Sequence, residues 1–102
     1  MQLEYRVAPL AKRDIDEIWD YVARDDPEAA NRLVDNFRSR FILISQNKLI
    51  GSARSEFGSG IRLFPFETSL IFYVPYESSV DIVRVLHSAR DLTQIFDNDL
   101  LN

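Results

Sequence analysis

The chain has no cysteine, one histidine, one tryptophan and three glycines in 102 residues. Without cysteine there is no disulfide and no thiolate metal site. One histidine cannot build a multi-histidine metal centre, so no metal and no cofactor is expected. No apolar run approaches the roughly 18 residues of a membrane span, and the N-terminal residues lack a signal-peptide pattern. The expected setting is therefore cytoplasmic, away from any membrane. Phosphate-binding glycine loops and serine-nucleophile motifs are also missing. Positive charge is scarce: the formal net charge is -4, and the only lysines are Lys12 and Lys48. That balance argues against a nucleic-acid binder working through bulk positive charge. There is no repeat, low-complexity tract or linker, so residues 1–102 are expected to form one domain.

What is present is a globular pattern, 46% hydrophobic and 27% charged. Gln2 to Val7 alternates Leu3, Tyr5 and Val7 against Gln2, Glu4 and Arg6, as a half-buried strand does. Pro9 suits the first turn of a helix, where its missing N–H costs nothing. Ala11, Ile15, Ile18, Trp19 and Val22 follow at helical spacing, predicting a helix over 9–24. The acidic run Asp14, Asp16, Glu17 and Asp20 lacks the spacing of a calcium loop and reads as a solvated helix face. Asp26 is placed to cap a second helix with Pro27 as its first residue. Ala30, Leu33, Phe37, Phe41 and Ile44 form its apolar stripe, giving a helix over 27–46. The short junction predicts an antiparallel hairpin.

Lys48 to Gly60 holds all three glycines and reads as a loop, long for a domain of this size. Ile61 to Phe66, Ser69 to Val74 and Val80 to Leu86 read as strands, with Pro65 marking an edge or a turn and Pro75 to Ser79 a hairpin connection. The tail from Ala89 to Asn102 is expected to add a short helix. The fold class is thus α+β: an N-terminal strand and a helical hairpin on one face of a mainly antiparallel four-stranded sheet. The middle strand is apolar on both sides, with Leu70, Phe72 and Val74 pointing one way and Ile71 and Tyr73 the other. Two helices cover one face. The second, assigned to Ile71 and Tyr73, needs the tail or a partner.

Three blocks carry a family resemblance: RDIDEIWDYVARDDPEAANRLVDNF in the hairpin, GIRLFPFETSLIFYV in the middle and VDIVRVLHSARD near the end. In this order they resemble the ParE branch of the RelE/ParE toxin superfamily, over nearly the whole chain. The resemblance implies the toxin of a type II toxin–antitoxin system. It implies poisoning of DNA gyrase without catalysis, and neutralisation by a ParD-like antitoxin in a hetero-oligomer. DNA would be met only indirectly, through the antitoxin. Val74, followed by Pro75, stands where the family commonly has a basic residue after the LIFY run.

Arg62, Phe64, Ile71, Tyr73, Arg84 and Arg90 are expected to form the antitoxin-binding surface, as an apolar platform rimmed by cations. The competing reading is a ribosome-dependent mRNA endonuclease of the RelE type. A metal-free ribonuclease needs a base, an acid and cations on the phosphate. His87 is the candidate acid or base, and Arg62, Arg84 and Arg90 are the candidates to hold the phosphate. A third reading is an inactive relative kept as a binding or repressor module.

Overall fold

The computed structural model describes residues 4–88. The N-terminal strand β1 is Tyr5–Val7. Helix α1 spans Pro9–Ala23 and helix α2 spans Pro27–Gln46, each opening on its proline. Asp26 caps α2 as expected, its carboxylate accepting from Ala29 N at 3.1 Å. Strand β2, Ser52–Ala53, lies in the glycine-rich connection. Strands β3 (Arg62–Phe66), β4 (Ser69–Pro75) and β5 (Val80–His87) follow. The expected tail helix falls outside the described residues.

The sheet has five strands in the order β1-β5-β4-β3-β2. All neighbours are antiparallel except β1 and β5, which run parallel. The extra strand β2 arises inside the expected loop because Ser52 and Ala53 pair with Leu63 and Arg62. Pro65 sits within β3 without breaking it. Its partner is Leu70, and β2 reaches only as far as Leu63, so the missing N–H falls on an uncovered edge.

The helices cover the face of the sheet opposite to the one assigned from the sequence. Ile71, Tyr73, Val80, Ile82 and Val85 pack beneath Ala11, Phe37, Phe41 and Ile44 in one cluster, with Phe64 and Phe66 at its margin. Ile71 and Tyr73 are fully buried there. The other face is formed by Ile61, Leu63, Phe72, Val74, Val83 and Leu86, with Phe57 and Leu70 packed against it. Alternation in β4 correctly separates the two sets, but it carries no information about which set meets the helices. That choice follows from the connections: β1 lies beside β5, and Ala8 N donates to Ile82 O at 2.9 Å, which starts α1 on the Ile82 side.

Candidate functional site

Strand β5 carries an irregularity that shapes one end of the molecule. Ile71 pairs with Val85 and Phe72 with Arg84, yet Tyr73 pairs with Ile82, leaving Val83 as an extra residue. A bulge of this kind re-aims side chains. Ile82 and Val85, three apart, face the helices together, while Val83 and Leu86 face the other side. Arg84 is brought against α1. Its Nε donates to Asp14 Oδ2 at 2.7 Å and its Nη2 to Oδ1 at 2.9 Å. The same carboxylate accepts from Val85 N at 3.0 Å.

Asp14 is therefore buried, with 6% of its surface exposed, and is not part of the solvated acidic face expected for it. The remaining acids of that run, Asp16, Glu17 and Asp20, are exposed. The signal was present in the spacing: Asp14 lies three residues after Ala11 and four before Ile18, on the edge of the apolar stripe. The hydrogen bond to Asp14 raises the pKa of Arg84 against the opposing effect of burial. The pair fastens α1 to the sheet.

Among the described residues, β5 has no strand on its outer side beyond Ile82, because β1 pairs only with Val80 to Ile82. The open edge borders a groove of about 480 Å³ between α1 and the sheet. Ile18, Val22 and Leu33 form its apolar helical wall and Val85 faces them from the sheet, with His87 and Tyr21 also lining it. Tyr21 is 72% exposed. None of these except His87 was singled out as a functional residue from sequence.

The other sequence-assigned residues do not assemble there. Ile71 and Tyr73 lie under the helices and offer no surface to a partner. Phe64 is half-buried against the same cluster. Arg84 is held by Asp14. Arg62 is occupied at the opposite end of the sheet, where Nε donates to Gly51 O at 3.0 Å and Nη2 to Leu49 O at 3.1 Å. Arg90 lies outside the described residues. Arg62 is level with Tyr73, while His87 is level with Ser69 and two strands away. At a rise of ~3.3 Å per residue the offset along β4 alone is about 13 Å. Among the described residues there is also no group of three His, Cys, Asp or Glu side chains placed to hold a metal ion.

A sequence-family model described as the ParE toxin of the type II toxin–antitoxin system parDE matches residues 5–92. The chain belongs to the ParE toxin family. Toxin ParE1 from two strains of Mycobacterium tuberculosis, CDC 1551 / Oshkosh and ATCC 25618 / H37Rv, is 30% identical over 94 residues. The matched region covers 90% of this chain and 96% of the relative. A solved structure of a chromosomal ParDE toxin–antitoxin system from P. aeruginosa superposes with a TM-score of 0.69 at 22% identity. It covers 83% of this chain and 95% of the other, and shows that the ParE fold is shared. As a ParE-type toxin the protein acts within a toxin–antitoxin pair, so an antitoxin is its implied partner. No helix among the described residues is long and apolar enough to cross a membrane.

Proposed function

We propose that this ParE-family toxin poisons DNA gyrase and is neutralised by a ParD-like antitoxin seated in the groove between α1 and β5. The observation that carries the reading of the target is the fate of the cations. A ribonuclease site needs arginines converging on one phosphate with an acid or base beside them. Here Arg84 is spent on Asp14, Arg62 on the carbonyls of Leu49 and Gly51, and His87 lies far from Arg62. A gyrase poison needs no such cluster. It acts by binding one state of its target better than the others, and contact with a protein does not require the run of cations that a phosphate backbone does.

The groove supports the reading of the antitoxin. An incoming segment that folds on binding can insert apolar side chains against Ile18, Val22 and Leu33 and add main-chain hydrogen bonds along the open side of β5. The broad apolar contact offsets its ordering entropy.

Induction of the toxin should trigger the SOS response while messages stay intact, and the purified protein should inhibit supercoiling by gyrase. Ribosome-dependent message cleavage that disappears in His87→Ala overturns the choice of target. Absence of both growth arrest and gyrase inhibition leaves only the repressor-module reading. Val22→Asp should weaken antitoxin binding by roughly tenfold or more, on the scale of a central interface residue. Unchanged affinity in the folded variant would remove the partner from the groove.

A further inference from the structure

The turn after α2, from Asn47 to Gly51, is held by three side chains that reach it from other parts of the fold or from within it. The hydroxyl of Tyr73 donates to Lys48 O at 2.7 Å and accepts from Gly51 N at 2.9 Å. Arg62 donates to the carbonyls of Leu49 and Gly51. Lys48 Nζ donates to Tyr76 O at 2.8 Å and also to Glu77 O, tying the turn to the β4–β5 connection. Gly51 lies so close to β3 that a Cβ there would stand 2.6 Å from Leu63 O.

All of this fixes a backbone whose side chains point outward. Leu49 is 72% exposed, Ile50 43% and Tyr76, at the neighbouring connection, 51%. A single exposed leucine is ordinary. A rigidly held apolar tip is different, because its ordering has been completed before any partner arrives.

We propose that the Leu49–Ile50 tip is the anchor by which this toxin engages an apolar pocket on its protein target. The proposal rests on the toxin reading above but not on gyrase in particular. The chemistry of the tip selects a protein over a nucleic acid. The two nearby cations, Lys48 and Arg62, are spent on backbone carbonyls, so the tip offers apolar surface where a phosphate would demand charge. Its position separates it from the antitoxin groove. The turn sits at the Tyr73 end of β4 and the groove at the Ser69 end, about 13 Å apart along β4 at the strand rise of ~3.3 Å per residue. The tip is also far smaller than the ~800 Å² per partner of a stable dimer, which fits one anchor of a larger contact better than self-association.

The test compares wild type, Leu49→Asp, Leu49→Ser and Tyr73→Phe. The measurements are melting temperature, oligomeric state, affinity for the antitoxin, growth arrest on induction and inhibition of purified gyrase. Both Leu49 variants should melt like the wild type and bind the antitoxin equally well. They should need roughly tenfold more protein, or more, for growth arrest and gyrase inhibition. Tyr73→Phe keeps the ring in the core but releases the turn, and should show a smaller loss of the same kind. If the wild type arrests growth without inhibiting gyrase and Leu49→Ser relieves the arrest, the tip stands and the gyrase reading falls. Full toxicity in a folded Leu49→Ser protein overturns the tip. So does a loss confined to antitoxin binding, a change of oligomeric state that accounts for the loss of toxicity, or a wild-type chain with no toxicity at all.

Discussion

On one face of the sheet, Ile71 and Tyr73 lie beneath a layer of aromatic side chains from α2. Phe37 and Phe41 stack at 6.3 Å between centroids, Phe66 meets Phe37 edge-on at 6.0 Å, and Tyr5 lies 5.6 Å from Phe41. On the other face, Phe72 is equally buried, but its described aromatic contact is the ring of Phe57, 5.7 Å away and nearly perpendicular. Phe57 comes from a three-residue 3-10 turn in the glycine-rich connection. Among the described residues, one face is thus packed against two long helices and closed by a buried ion pair, and the other is met by the ring of Phe57 from a loop. The side chains that meet the two faces differ in their own burial, and the consequences of removing them for stability should differ.

The largest effect should come from Phe37→Ala, which opens a cavity at the centre of the helical layer and should cost about 3–5 kcal/mol. At ~4–8 °C per kcal/mol for a domain of this size, thermal melts followed by circular dichroism should fall by well over 10 °C. A shift of only a few degrees would mean that the helical layer does not dominate. Asp14→Ala should come next, at about 3 kcal/mol, because it leaves the Arg84 guanidinium and the Val85 N–H without their buried acceptor. Asp14→Asn should retain part of this loss if charge as well as hydrogen bonding matters. Chemical denaturation of the three proteins measures the split.

Phe57→Ala sharpens the contrast between the faces. Phe57 is only half-buried, and losing its contacts should cost about 1–2 kcal/mol. A cost equal to that of Phe37→Ala would make the two faces energetically alike. The smallest effect is expected at Arg6. Its Nε contact with Asp81 at 3.0 Å joins the same kinds of group as the Asp14–Arg84 pair, but through a single hydrogen bond, and the Arg6 side chain is 73% exposed. Water already solvates it, so Arg6→Ala should change stability by no more than ~0.5 kcal/mol. Added salt should narrow that difference further.

The helices were legible almost to the residue. Proline at the first turn, Asp26 as a cap and the spacing of Ala30, Phe37, Phe41 and Ile44 are local signals, and nothing in the tertiary structure overrides them. The site was far less legible. Ile71 and Tyr73 were assigned to a partner because the strand is apolar on both sides, and they are instead the seat of the helices. Asp14 looked like one more acid on a solvated surface until the bulge at Val83 brought Arg84 to meet it. The pinned tip at Leu49 and Ile50 was hidden in a stretch that reads only as a loop.

The sequence alone determined the order of the two helices and the longer strands, the separation of the sheet residues into two apolar sets, and the family, through blocks spread along the chain. Local propensity and periodicity suffice for these because each depends on residues within a turn or a strand of one another. The tertiary structure alone decided which set the helices cover, where β1 stops along β5, and which charges are spent inside the fold. Those outcomes join residues 70 positions apart, as in Asp14 and Arg84. Such pairs exist only once the strands have been registered and the bulge placed, so no local pattern records them.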